Sequence, residues 1–463
     1  MASDMATSSL QKESTSPSDS NSLNEKKNLT NDTRSSQDHS SEPAHADVEK
    51  HAAAKPPGRE APGLTAWLVV LGAWCTSFCS FGWLNSIGVF QEYYQNVLLK
   101  EYSPSTISWI PSLQIFFIMG MGPIVGIIYD HYGPRWLLLG GTFLHVFGVM
   151  MASLGTEYYQ ILLAQGVCSA IGVSAIFQPA FSSVQGWFSR DKRGAAFGIL
   201  FTGSSSGGVV FPIMVSHLIR QVGFGWAMRV SAFLMLFLLV VANLTVRPFQ
   251  PPHPNEVSAT QLRKPFTEVD FLLVTAGAFC FSYGFFVPIN YLPLQALEAG
   301  ISPNLTQYLL PILNAASLFG RLSAGFASDK FGPYNVFVAV CYLSGIWILG
   351  LWLPIASSTT TAGVVAFAVL FGFSSAAYVS LLAHLVMAIS PMNFADIGWR
   401  TGVVLFVTAV GGFTTNPING AILSGDGGWT GLKVFSGVFC IAGTTFVLAV
   451  RIRRGGRRFF VKV

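Results

Sequence analysis

The sequence predicts an all-α membrane protein whose twelve spanning helices fall into two related halves of six. Three observations carry that expectation. Of 463 residues, 51% are hydrophobic and only 11% are charged, whereas a soluble globular chain carries about a quarter charged residues. Those few charges collect at the ends and in short clusters, leaving apolar runs long enough to cross about 30 Å of hydrocarbon. In addition, Gly126-Ile-Ile-Tyr-Asp130-His-Tyr-Gly133-Pro134-Arg135 returns in reduced form as Gly325-Phe-Ala-Ser-Asp329-Lys-Phe-Gly332-Pro333, so the chain repeats itself.

Residues 1–63 are rich in Ser, Asn, Asp, Lys and Glu and nearly free of aromatic residues. Such a segment cannot bury enough apolar surface to offset the entropy of ordering, and it lacks the apolar middle of a secretory signal. A disordered tail on the cytoplasmic side is expected there. The apolar runs predict spans at about 65–90, 105–129, 136–154, 159–184, 194–217 and 226–246, a first bundle over 64–246. A cytoplasmic linker over 247–268 leads to spans at about 269–291, 304–328, 334–354, 361–388, 400–423 and 430–450, a second bundle over 269–450. A basic tail, 451–463, closes the chain.

Twelve spans place both termini on one side of the membrane, and the basic residues say which. With the tail inside, the inner connections hold Arg135, Arg190, Lys192, Arg193, Arg247, Arg263, Lys264, Lys330 and Arg400, while the outer ones hold Lys100, Arg220 and Lys433. Lys and Arg accumulate on the cytoplasmic face of short loops, so both termini are expected in the cytoplasm. Asn304-Leu305-Thr306 then lies outside, as a candidate glycosylation site at Asn304.

The six cysteines all fall inside apolar runs, with no histidine at ligand spacing, and read as packing residues. No metal site, nucleotide loop or nucleophile elbow emerges, and no cofactor is expected. Gly203-Ser-Ser-Ser-Gly207-Gly208 lacks the Gly-Lys-Ser/Thr ending of a phosphate loop and lies within the fifth span, where small residues let helices cross closely. The basic C-terminus reads as an anchor at an anionic leaflet, with no nucleic acid as partner.

The repeated ten-residue stretch marks a tight connection between two helices in each half. Its parts suggest a gate: glycines allow close helix approach, and a carboxylate suits a neighbouring helix N-terminus. Gly126, Asp130, Gly133 and Arg135 resemble the signature loop of the major facilitator superfamily, and Gly325, Asp329 and Gly332 keep the pattern in the second half. The resemblance implies two six-helix bundles around a central cavity, with these residues latching conformational states and Arg135 pairing with an acid across the cytoplasmic gate. A second echo, Gly207-Gly208 with Pro212 and Gly411-Gly412 with Pro417, marks segments able to bend.

Phe81-Gly82-Trp83-Leu84-Asn85-Ser86 in the first span, with Trp187-Phe188 and Arg193-Gly194, resembles the fungal branch of the monocarboxylate transporter family. That family's animal members carry a lysine in the first span and an Asp four residues before an Arg in the eighth. Arg321 matches the arginine, but Asn85 and Ser317 replace the other two, which speaks against simple lactate and proton symport. Arg321 has two readings. A guanidinium inside a span can hold a carboxylate, or it can brace the gate or snorkel towards the surface. Asn314 shares its helix face. The resemblance places Asn85, Gln178, Tyr283 and Tyr378 on cavity-lining helices. Gln114, His145, Gln165, Asn290 and Asn416 read as interhelical hydrogen-bonding groups, and His384 as a structural residue or a proton carrier.

These readings converge on a secondary transporter of a small organic metabolite, with an anion or carboxylate-like substrate, efflux of a secondary metabolite included. Uptake of a vitamin such as riboflavin and a non-transporting nutrient sensor stand as alternatives. The partners expected are the substrate, a coupled proton and the lipid bilayer, the chain acting as a monomer. The plasma membrane is the first expectation for its location and the vacuolar membrane the second.

Overall fold

The computed structural model describes residues 63–189, 192–249, 262–356, 360–390 and 397–456. The expected N-terminal tail, the middle of the linker and the last basic residues lie outside the described residues. Among the described residues, twelve helices are long and apolar enough to span a bilayer. They are α1 (Leu64–Leu98), α2 (Trp109–Tyr132), α3 (Pro134–Ala152), α4 (Tyr158–Trp187), α5 (Arg193–Val222), α6 (Phe224–Thr245), α7 (Val269–Glu298), α8 (Pro303–Phe331), α9 (Pro333–Trp352), α10 (Thr361–Ile389), α11 (Ile397–Ser424) and α12 (Gly428–Gly455).

Residue chemistry explains the two tightest connections. Gly133 and Gly332 stop α2 and α8 with φ of 77° and 89°, a region open to glycine and costly for side chains with a Cβ. Pro134 and Pro333 follow at the first position of the next helix, where a missing N–H costs nothing and φ is already helical. One residue therefore reverses the chain in each half.

Helices α1–α6 share one buried core, built around Trp83, Phe90, Phe177, Phe197 and Phe211. Helices α7–α12 share another, around Phe271, Phe281, Trp352 and Phe371. A smaller cluster of Ile118, Met119, Ala170, Val173, Phe286 and Ala409 draws on both halves and joins them. Between helices in lipid, apolar burial alone gives little drive, and close packing does more. Accordingly, Gly207 lies against Gly82, and Gly277 against Gly443, with no room for a methyl group at either crossing.

Helix α1 runs to Leu98, beyond the expected end near 90, and is not uniform. Wider turns occupy Phe78–Gly82 and Tyr94–Leu98, with a break at Asn85-Ser86 between them. Two residues counted as loop charges, and one counted in the basic tail, sit elsewhere. Lys433 is fully buried in α12, its Nζ donating to Trp352 O at 3.0 Å and lying 5.2 Å from the indole ring. Arg400 is 1% exposed in the first turn of α11, and Arg451 continues α12, donating to Asn335 Oδ1 at 2.8 Å. Long side chains with local acceptors let these cations leave the solvent.

Candidate functional site

The two bundles meet along two helix pairs, α2 with α11 and α5 with α8, and the chemistry sits on these seams. On α2, Gly126 faces Gly398 of α11 and Gly122 faces Gly402, so closely that a Cβ on Gly122 would lie 2.7 Å from Gly402 O. Asp130, one turn further, accepts hydrogen bonds from Gly398 N at 3.1 Å and Trp399 N at 3.0 Å. These are among the first amides of α11, which have no carbonyl partner within their own helix, and the carboxylate also meets the positive end of the helix dipole.

The second seam repeats the device with the bundles exchanged. Gly325 of α8 packs on Gly194 and Gly198 of α5, and Asp329 accepts from Gly194 N at 2.7 Å and Ala195 N at 2.8 Å. Each acid thus caps a helix of the opposite bundle. Between the seams, Ala383, Met387 and Ile397 of the second half join the core of the first. At this end of the molecule the two bundles are in contact and closed on each other. Arg135 lies exposed and outside both seams, with no ion pair among the described residues.

Arg321 stands one turn before Gly325 on α8, where the first seam has Gly122. It is 8% exposed. Its Nη1 donates to Phe201 O of α5 at 2.6 Å and also to Ser204 Oγ. Its Nε is buried without a hydrogen bond, and no carboxylate pairs with it among the described residues. One turn earlier, Ser317 shares a 2.7 Å hydrogen bond with Ser205 of α5. Next on this face is Asn314, whose Nδ2 donates to Asn85 Oδ1 of α1 at 3.1 Å and which packs on Gly208. Asn85, Asn314, Ser317 and Arg321 therefore form one polar row along the α5–α8 seam.

The other residues singled out in the sequence lie apart from that row. Gln178 donates to Gly398 O at 3.1 Å and touches Gly126, so it belongs with the α2–α11 latch. Tyr283 shares a 2.6 Å hydrogen bond with Thr414 of α11, and Tyr378 donates to Ala278 O of α7 at 2.8 Å, both within the second bundle. His384, on α10, is buried with its ring facing Phe197 of α5. Asn304 is exposed in the first turn of α8.

Two groups at the closed end were named in the sequence only as loop charges or family motif, not as site residues. Arg400 forms a two-pronged ion pair with Glu268, both N–O distances being 2.7 Å, and this pair ties α11 to the start of α7. The Arg400 guanidinium holds the Glu268 carboxyl below its ordinary range against the opposing effect of burial. Arg193 donates to Phe188 O and reaches the Met387 sulfur across the bundles. The available signal was an arginine at the start of each of two related spans, α5 and α11, where it reads first as a topological charge.

A family model described as Major Facilitator Superfamily matches residues 63–399. The chain is 56% identical to MFS transporter asaE of Aspergillus flavus over 402 residues, 86% of this chain and 90% of that protein. It is 53% identical to the fujikurins efflux protein of Gibberella fujikuroi, over 84% of this chain and 83% of that one. Among solved structures, FucP in the outward conformation superposes with a TM-score of 0.64 at 15% identity, covering 83% of this chain and 98% of that chain.

Proposed function

The chain belongs to the major facilitator superfamily, and from that premise we propose that it exports a small organic anion, a fungal secondary metabolite, by alternating access. Arg321 carries the reading. It is a buried cation on the seam between the bundles, with a spare Nε donor and no acid beside it among the described residues. An unpaired buried charge is costly, and an anionic substrate arriving between the bundles compensates it. The efflux direction rests on relatives such as the fujikurins efflux protein, and the monocarboxylate-like branch on the Arg321 match. Both termini in the cytoplasm, a plasma-membrane location and action as a monomer complete the reading.

Arg321→Lys keeps the charge and loses the planar fork, whereas Arg321→Gln loses both. In cells loaded with candidate organic acids, Lys is expected to weaken efflux and Gln to nearly abolish it, with surface protein unchanged. Full efflux by the Gln variant would reduce Arg321 to a brace between α8 and α5. Coupling to a proton, with His384 as its carrier, predicts that His384→Gln uncouples efflux from an imposed pH gradient. An unchanged gradient dependence removes His384 from that role.

A further inference from the structure

Beside the α2–α11 latch, one face of α4 carries Ser174, Gln178, Ser182 and Gln185, none more than 4% exposed. At about 3.6 residues per turn they fall within about 80° of one another and run along about 16 Å of the helix. The row reaches the closed end. Gln178 donates to Gly398 O of α11, and Ser183 lies 3.4 Å from the hydroxyl of Tyr129, the residue before Asp130. Five polar atoms on this face are buried without a hydrogen bond among the described residues: Ser174 Oγ, Gln178 Oε1, Ser182 Oγ and both amide atoms of Gln185. A serine inside a helix can bond back to its own backbone, as Ser183 does to Pro179 O, and Ser374 and Ser380 of α10 do to Phe371 O and Ala377 O. Ser174 and Ser182 do not.

A polar group buried without a partner carries a desolvation cost that the same group in water does not. Here the cost falls on the arrangement in which α4 is shut against α11 of the other bundle. We propose that this row is a counterweight to the two acid latches. Asp130 and Asp329 favour the closed end, and the five unpaired atoms oppose it, because separating the bundles gives them water. The two effects leave the closed and open arrangements near enough in free energy to interchange. Gln185 contributes most, since neither of its amide atoms is bonded. The inference rests on alternating access and not on the organic-anion reading, and it involves no substrate contact.

The test uses full-length protein in lipid nanodiscs, without substrate. Met387 of the second bundle is buried in the core of the first, so a cysteine in its place reports opening through its reaction with a water-soluble maleimide. Protein with Met387 intact is the blank for the native cysteines. Where opening and closing outpace labelling, the rate follows the open population. Gln185→Leu removes both unpaired atoms at similar volume and is expected to slow labelling by about fivefold or more, without lowering the melting temperature. Asp130→Asn should speed labelling, and the double variant should return towards the parent rate. Labelling unchanged or faster in Gln185→Leu overturns the counterweight, and if Asp130→Asn still speeds it, alternating access stands. No labelling above the blank in any variant overturns both. Should Gln185→Leu fail to give monodisperse protein, Ser174→Ala with Ser182→Ala, which removes two unpaired hydroxyls, decides by the same rate.

Discussion

Gly325 has no room for a side chain: a Cβ there would lie 2.5 Å from Gly194 O and 2.9 Å from the Gly198 Cα. Both neighbours are backbone, so neither yields by rotating. Overpacking of this kind costs about 1–3 kcal/mol, and here the cost falls on the closed arrangement of the two bundles. Gly325→Leu is expected to cut transport by about tenfold or more. In the same variant, a cysteine replacing the buried Met387 should become reactive to a thiol reagent applied from the cytoplasmic side. Unchanged labelling would mean that this crossing does not hold the end shut. Glu268 offers a second test at this scale. Its partner Arg400 is 1% exposed and Glu268 is 28% exposed, so Glu268→Ala strands a buried cation and should cost about 1–3 kcal/mol in thermal stability, discounted for the half-open carboxylate. The carboxyl is held below its ordinary 4.5. The unfolded chain therefore binds the proton first as pH falls, and the pair's contribution is present above about 4.5 and lost through the lower folded value. The melting difference between wild type and Glu268→Gln should narrow below pH 4.5, and a constant difference would contradict this.

At the scale of elements, each latch is a helix N-terminus held by an acid from the other bundle. Asp130 takes two amides of α11, and Asp329 two of α5. Such caps are worth about 0.5–2 kcal/mol each. If they exist only in the closed arrangement, losing one shifts the population of states by roughly two- to thirtyfold and leaves the substrate contacts untouched. Asp130→Asn keeps the shape and removes the charge. The expected result is slower turnover at an almost unchanged apparent affinity, with a stronger effect when Asp329→Asn is added. Lost affinity at an undiminished maximal rate would place Asp130 in binding instead. The linker is held at both visible ends by indoles, Trp187 donating to Arg247 O at 3.0 Å and Trp399 to Leu262 O at 3.1 Å. Since Asp130 also caps the Trp399 amide, one end of the linker is fixed to the α2–α11 latch.

For the whole molecule, the exchange of partners across the two seams gives an approximate twofold relation between the bundles. Asp130 and Asp329 stand in the last turns of α2 and α8, and both engage the opposite bundle there. Opening one end while closing the other therefore requires the seams to pivot, and the small residues at Gly122, Gly126, Gly194 and Gly198 let the backbones act as the bearing surfaces. The topology is checked from outside. An epitope at the N-terminus of intact cells should be inaccessible to antibody until the membrane is permeabilised, and a glycosidase-sensitive shift would report Asn304 on the opposite face. Surface labelling of the N-terminus in intact cells would reverse the assignment.

Span number, the repeated stretch and the suitability of its acids for a neighbouring helix N-terminus were legible in the sequence because each is local: apolar length, recurrence at fixed spacing, and a Gly-Pro turn. The break in α1 at Asn85-Ser86 was not, since hydropathy is blind to a local change in the hydrogen bonding of a turn. Nor was the pairing of Arg400 with Glu268, or the burial of Lys433 beneath Trp352. A charge near the end of a span looks the same in sequence whether it meets water or a partner on another helix. Arg321 shows both limits at once. Its residue type and position within a span mark it in the sequence, but only the folded chain sets it against Phe201 and Ser204 of α5 and leaves its Nε without a partner. That arrangement depends on which helices cross, and the crossings follow from side-chain volume summed across two bundles and not from any one segment.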